Sequence, residues 1–293
     1  MYSGGARDLL DMDVVNNTAP GKPFRGPGGP GAIWAMEQAV DQIAHDSGVD
    51  PITLRRKWTK NDLRIKLYDW VESLDVWEKR PTLNTQTGRY RRGVGVAFGV
   101  WIYVYDPETT VQIESSPDGL TVKTATQDIG NGVKTSLARL VAEPFGIDQS
   151  RVNVQVGNTT YPHGPSAAGS RVTVSVYEPT REGATLMRDR LFGMAAEEFD
   201  LENAQPADGG IYHTGGMMPW TEVLEKLPPQ QISLKRGADR QISQRLGVFV
   251  TGQMGMDLMF GWGISQSAIV AEVEVDTLLG KTKVKRVWQN LAI

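Results

Sequence analysis

Three short segments of the 293-residue chain combine residue types able to grip a ligand. The run Gln127-Asp128-Ile129-Gly130-Asn131-Gly132-Val133-Lys134-Thr135 stands between an expected strand and an expected helix. Glycines there let main-chain amides approach a bound group, and a helix start adds partial positive charge. Val133 occupies the position where a Walker loop needs the glycine before Lys134-Thr135, and Thr135 fills the third glycine of the dinucleotide fingerprint, so a phosphate or nucleotide binder is disfavoured. Taken alone, the run reads as an ordinary strand-to-helix turn. Phe24-Arg25-Gly26-Pro27-Gly28 offers an anion-binding guanidinium in a loop that leads into a helix, but taken alone it reads as a rigid connector with a solvated Arg. Ala167-Ala168-Gly169-Ser170-Arg171 sets a hydroxyl and a guanidinium among residues small enough for close main-chain approach, and small loop residues are usually only loops.

Composition removes several other chemistries. With no Cys the chain can form no disulfide, thiolate zinc site, iron-sulfur cluster of its own or Cys nucleophile, so a redox role needs a borrowed cofactor. The three His, at 45, 163 and 213, lack the spacing of a helix-borne metal site, and no protein-ligated metal is expected. His163 is a loop residue open to acid-base work, though a lone loop His is more often a surface residue, and His45 and His213 lack an obvious carboxylate or Ser partner, so no triad is expected. The Trp residues, among them Trp34, Trp70, Trp101 and Trp262, read as core or interface rather than a ligand cage. A net charge of -3 gives no electrostatic reason to expect nucleic acid, and no apolar run approaches the roughly 18 residues of a membrane span. Met1 opens no signal-type apolar core, which makes a cytoplasmic protein the expectation, or a periplasmic one if a targeting segment is missing.

The elements that must position these segments follow from periodicity. Residues 1 to 31 carry none and end in a Pro/Gly-rich stretch. Ile33, Met36, Val40, Ile43 and Ala44 recur at helical spacing up to Gly48, Asp50-Pro51 caps a short basic helix through Trp58, and residues 60 to 80 make one amphipathic helix. From Gly93 the period becomes twofold, predicting a long strand over 94 to 104. Residues 110 to 114 and 120 to 126 flank Pro117-Asp118-Gly119 as a hairpin, a helix spans 133 to 145, and a strand at 152 to 156 precedes a loop over 157 to 169. Helices follow from Pro179 to Phe199 and from Pro219 to Leu227, and a hairpin pairs 269 to 276 with 281 to 289. The expectation is an α+β fold of mixed and antiparallel sheets with packed helices.

Phe-Arg-Gly-Pro-Gly followed by a helix with Met36-Glu37, and then Gly48-Val49-Asp50-Pro51-Ile52-Thr53-Leu54-Arg55, resembles the molybdenum-cofactor-binding subunit of the xanthine dehydrogenase and aldehyde oxidase family. Asp128 to Gly132 with Thr135, Gly157-Asn158-Thr159, Gly169-Ser170-Arg171, and Ala271 to Asp276 with Gly280 fall in that family's order. The resemblance implies a molybdenum held by the dithiolene of a pyranopterin rather than by protein ligands, with the protein supplying hydrogen bonds and exclusion of water. It implies that Arg25 and Gly26 lie beside the molybdenum, that Gly130, Asn131 and Gly132 form the cofactor turn, and that Gly169 and Ser170 grip the cofactor. By the same likeness Phe98 is a substrate-facing aromatic, and Pro27 stands where purine hydroxylases carry a second stacking Phe, so purine is a poor substrate.

The chain departs from the family at Asn131, one methylene shorter than the family's Gln, which lengthens or water-bridges a contact. It also resembles only the central portion of the family subunit: residues 1 to 88 the end of a first molybdopterin-binding lobe, and 89 to 293 the start of a second. The Gly-x-Gly-Glu segment that carries the family's general base is absent from this portion, so no catalytic residue is assigned. The resemblance therefore implies part of a hydroxylase that oxidises an aldehyde or N-heterocycle with water-derived oxygen, inactive as an isolated chain. Its partners are the remaining part of the molybdenum subunit and chains bearing [2Fe-2S] and FAD. The alternative is a non-catalytic binding or assembly module that keeps the fold.

Overall fold

The computed structural model describes residues 2, 8, 10, 12, 14–19, 21, 24–83, 85–237 and 262–292. The chain divides into two compact units, residues 1–101 with 264–293, and residues 102–263.

In the first unit α1 (Gly29–Asp46) starts after Gly28, whose φ of 70° suits glycine, and ends where Val49 N donates to Ala44 O at 2.9 Å. Asp50 then caps α2 (Pro51–Lys57) by accepting from Ile52 N at 2.8 Å and Thr53 N at 3.0 Å, as the Asp-Pro pair predicts. The single helix expected over 60 to 80 is instead two, α3 (Asp62–Glu72) and α4 (Asp75–Glu78). Ser73 Oγ donates to Trp70 O at 2.7 Å and closes the first, and Leu74, with extended backbone, turns inward against the core before Asp75 restarts the helix. These helices cover a three-stranded sheet of order β1 (Tyr90–Val104), β9 (Trp262–Asp276), β10 (Lys281–Ala292). Val96, Phe98, Ala268 and Val270 point from its inner face to Leu67, Tyr68, Val71 and Trp77.

The second unit is built on a mixed four-stranded sheet of order β4-β3-β2-β8: β4 (Val152–Val156), β3 (Gly119–Thr124), β2 (Thr110–Ser116) and β8 (Gln230–Lys235). β2 and β3 form the expected hairpin, and β3 runs parallel to β4 through the crossover helix α5 (Val133–Ala142). Alternate residues Val111, Ile113, Leu120, Val122 and Val152 meet α5 and the 27-residue α6 (Val172–Glu198) in one core. Helix α6 begins seven residues before Pro179, its expected first residue. Pro already has helical φ and loses only one main-chain bond, and the burial of Val172 and Val176 on the preceding turns sustains the helix through it. A small antiparallel sheet, β5 (Gln205–Ala207), β6 (Gly210–His213) and β7 (Gly216–Pro219), leads into α7 (Trp220–Lys226). The α+β class with mixed and antiparallel sheets is thus present in both units. No helix among the described residues is long and apolar enough to cross a membrane.

Candidate functional site

In the second unit the loops before α5 and α6 are fastened to each other. Ala125 N donates to Pro162 O at 2.8 Å, Thr126 Oγ1 to Pro165 O at 2.8 Å, and Ala167 N to Gln127 Oε1 at 2.9 Å. Gly164 makes the approach possible, because a Cβ there would lie 2.2 Å from Thr126 N. The structure therefore brings together two segments that are 40 residues apart in the chain, Gln127 to Gly132 and Pro165 to Ser170.

Both segments lead into helix starts, α5 and α6. Gly130 (φ 90°) and Gly132 (φ 76°) are exposed, and the space where a side chain would stand over each is open. The cap residues themselves, Gly132 before α5 and Arg171 before α6, make no side-chain cap bond, and α6 follows two consecutive left-handed residues, Gly169 (φ 63°) and Ser170 (φ 54°). Asp128 Oδ1 accepts from Gly130 N at 2.9 Å, and Asn131 Oδ1 accepts from Val133 N at 3.3 Å, so the Asn131 oxygen is engaged inside its own turn. Arg171 is buried and its Nε donates to Ala168 O at 3.1 Å, holding the small-residue loop against α6. His163 is part of the same fastening: its Nε2 meets Asp106 Oδ2 at 2.9 Å, and its carbonyl accepts from Thr110 N at 2.8 Å.

In the first unit Arg25 is exposed on a tight turn in which Gly29 N donates to Gly26 O at 3.0 Å, with Pro27 and Gly28 at its tip. The turn sits close to β1: a Cβ on Gly29 would lie 2.5 Å from the Trp101 ring. A cavity of about 280 Å³ opens beside it, lined by Gly26, Pro30, Ile33, Trp101, Ser267 and Leu291 among others and by no charged residue.

Phe98 does not line that cavity. Its ring has no exposed surface, packs edge-on against Tyr68 at 4.8 Å between centroids, and has the guanidinium groups of Arg55 and Arg64 each 5.5 Å from its centroid. The structure places it in the core instead of facing a substrate, because on β1 the even-numbered residues turn toward α3.

Two buried networks near Phe98 went unread as such in the sequence. Glu37 accepts from Tyr2 Oη at 2.7 Å, from Arg55 Nη2 at 3.0 Å and from the main-chain N of Phe98 at 2.9 Å, which ties α1 and α2 to β1. Burial opposes the Arg55 charge, but Glu37, Tyr2 and Asp41 more than offset it and hold its pKa above the ordinary value. Burial also raises the Asp41 carboxyl despite its 2.8 Å ion pair with Arg55, and pushes the Tyr68 phenol up to about 12. Arg64 is 2% exposed and has no ion pair among the described residues. Its Nε donates to Gln266 Oε1 at 2.7 Å and its Nη2 to Gly99 O at 3.1 Å, and Gln266 Nε2 donates to Asn61 Oδ1 at 2.6 Å. The signal was present: Arg64 lies at helical spacing with Leu67, Tyr68 and Val71, a core stripe.

Comparison with known proteins gives these loops a setting. Residues 69–291 match the family model of the molybdopterin cofactor-binding domain, and residues 1–59 match a second model of the same description. The chain is 29% identical over 233 residues to the aldehyde oxidoreductase molybdenum-binding subunit PaoC of Escherichia coli (strain K12), covering 72% of this chain and 30% of that protein. It is 31% identical over 222 residues to the xanthine dehydrogenase molybdenum-binding subunit of Escherichia coli O157:H7, covering 67% of this chain and 29% of that one. Among solved structures, the aldehyde oxidoreductase of Desulfovibrio desulfuricans covers 92% of this chain and 29% of its own at 20% identity with a TM-score of 0.55. The CO dehydrogenase of Oligotropha carboxidovorans covers 89% and 36% at 16% identity, also with a TM-score of 0.55. At these identities the structural likeness speaks for the fold alone.

Proposed function

The chain belongs to the molybdopterin cofactor-binding domain family, and from that premise we propose that it is the central portion of a molybdenum hydroxylase subunit, residues 1 to 88 ending one cofactor-binding lobe and 89 to 293 opening the next. The observation that carries this reading is the fastening of the residues just before the Gly130–Gly132 turn to those just before the Gly169–Ser170 loop, through Thr126–Pro165 and Gln127–Ala167, each segment leading into a helix start. Main-chain donors beside open space suit a polar, phosphate-bearing pterin, and a side chain on Gly130 or Gly132 would fill that space. In this reading Gly130, Asn131, Gly132, Gly169 and Ser170 hold the cofactor. Arg25 and Gly26 lie beside the metal, and Pro27 borders the substrate.

When bound, the molybdenum cofactor supplies two-electron oxidation with oxygen drawn from water. The part left to this chain is to orient the cofactor, exclude water and shape the approach of the substrate. The uncharged walls of the cavity beside Gly26 favour a neutral aldehyde or N-heterocycle. In this reading the electrons would leave through a [2Fe-2S] centre, which these Cys-free residues cannot ligate, and an FAD centre, both assigned to partner chains, in the cytoplasm. A second reading, a binding or assembly module without catalysis, is favoured by Asn131, whose side-chain oxygen is already engaged by Val133 N.

Gly132→Val separates the two, because a branched residue is strained at φ 76° and fills the open space. In the complex assembled with its partner chains, molybdenum per complex should fall several-fold with assembly intact. Unchanged molybdenum in a folded variant would assign the turn a structural role only and favour the second reading.

A further inference from the structure

The cavity beside Gly26 holds one polar side chain that no other contact uses. The Trp101 ring, Ile33 and Leu291 supply apolar walls, and Ser265, Gln266 and Ser267 of β9 line it as well. Ser265 is engaged within the strand pair, its Oγ donating to Trp101 O at 3.2 Å. Gln266 turns to the opposite face of the sheet, where its Oε1 accepts from Arg64 Nε at 2.7 Å and its Nε2 donates to Asn61 Oδ1 at 2.6 Å. Alternation along β9 then sends Ser267 the other way, into the cavity. Ser267 stands between Gly99 on β1 and Leu291, its register partner on β10, and its hydroxyl makes no hydrogen bond to any described residue. Gly99 makes room for that hydroxyl, because a Cβ there would lie 2.6 Å from Ser267 Oγ. Apolar walls thus surround a single free hydroxyl in a space of about 280 Å³, which has room for one or two fused rings.

We propose that the Ser267 hydroxyl, seated over Gly99, sets the specificity of this cavity by donating to the ring nitrogen of a neutral aromatic N-heterocycle. The inference deepens the hydroxylase reading and rests on it. Apolar walls and the Trp101 indole favour a planar ring, but burial alone is non-directional and does not orient it. A hydroxyl in such a wall does, because the ligand atom that accepts its hydrogen is held at one point. A simple aldehyde has one acceptor, the carbonyl that must react, and nothing left for Ser267. An N-heterocycle keeps its ring nitrogen while a neighbouring carbon is oxidised, so the same contact serves substrate and product. A hydrocarbon of the same shape would cover the hydroxyl and leave it unpaired, which costs affinity. A carboxylate-bearing ligand finds no cation in the cavity to pair with. Ser267 is thus the specificity-determining residue, and Gly99 a positioning residue that acts through it.

All the residues lining the cavity belong to the first unit, so binding can be read on the full chain without partner polypeptides. In NMR titrations at mildly alkaline pH, where isoquinoline is neutral, isoquinoline and its hydrocarbon analogue naphthalene should both shift the methyl signals of Ile33 and Leu291. Ser267→Ala should weaken isoquinoline about three- to tenfold, the worth of one net hydrogen bond, and leave naphthalene unchanged or tighter. Gly99→Ala adds only a methyl to a strand, but its Cβ displaces the hydroxyl, so it should weaken isoquinoline more than naphthalene. Equal losses for the two ligands, or no loss of either, overturn the role of Ser267 while leaving the cavity as a ligand site. If neither ligand moves the Ile33 and Leu291 signals, the role of Ser267 and the cavity as a substrate site both fall. The cofactor turn is untouched by these outcomes, because Gly132→Val tests it separately through molybdenum content.

Discussion

Glu37 and Arg55 carry opposite charges into the interior of the first unit with side chains 5% and 0% exposed. Such a pair contributes little net stability unless every donor and acceptor is used, and removing one partner strands the other. Here the carboxylate is saturated by Tyr2, Arg55 and Phe98 N. Arg55→Met should therefore lower the unfolding free energy by about 3–5 kcal/mol. Adding Glu37→Gln, which removes the stranded charge but keeps an acceptor for Phe98 N, should recover a good part of the loss. Urea titration of both variants tests this, and equal stability of single and double variants would show that the pair is not coupled. Both residues stood out in the sequence as parts of a pattern, but their pairing did not, because 18 residues and a change of helix separate them. Phe98 shows the opposite limit. Alternation fixes which β1 residues share a face, and with apolar or aromatic types on both faces it does not say which face is covered.

At the scale of elements, long periodic stretches and strong caps were legible, down to the Asp50 cap and the β2–β3 hairpin. Strands β5 to β7 were missed because three or four residues cannot establish a period, and β8 because its alternation rests on Ile232 and Leu234 alone. The convergence of the Gly130 and Gly169 loops was invisible too, since it rests on Gly164 and Gln127, neither of which has a periodic signature. The β9–β10 hairpin adds an electrostatic dependence. Hydrogen bonding to Arg286 holds the Glu272 carboxyl below its ordinary 4.5, and Arg89 holds Asp276 below 3.8. A depressed folded-state pKa gives stability that is complete above the ordinary value and lost as the pH falls through the folded one. Thermal melting should therefore drop between pH 5 and the acid limit. Glu272→Gln with Asp276→Asn should start from a lower melting temperature at neutral pH and lose less on acidification. Parallel pH profiles for variant and wild type would show that these carboxylates are indifferent to folding.

At the scale of the whole molecule, the chain spans 30% of the length of the PaoC subunit it matches. A pyranopterin is long and polar, and a site that holds one must cover most of its surface and keep water from its reactive end. The cofactor-gripping loops proposed for this chain, Gly130–Gly132 and Gly169–Ser170, come from the second unit, and the turn at Arg25 comes from the first. None of these residues is a carboxylate able to act as general base, and the cavity beside Gly26 is lined by no titratable side chain. The purified chain alone should accordingly contain well under one molybdenum per polypeptide and show no oxidation of aldehydes or N-heterocycles. Elemental analysis, fluorescence of the oxidised pterin and a dye-linked turnover assay on one preparation test this together. Full occupancy with turnover would require a catalytic base among these 293 residues, and would remove the reading of the chain as one portion of a larger site. Full occupancy without turnover would keep the cofactor-binding assignment while moving the missing chemistry to partner chains.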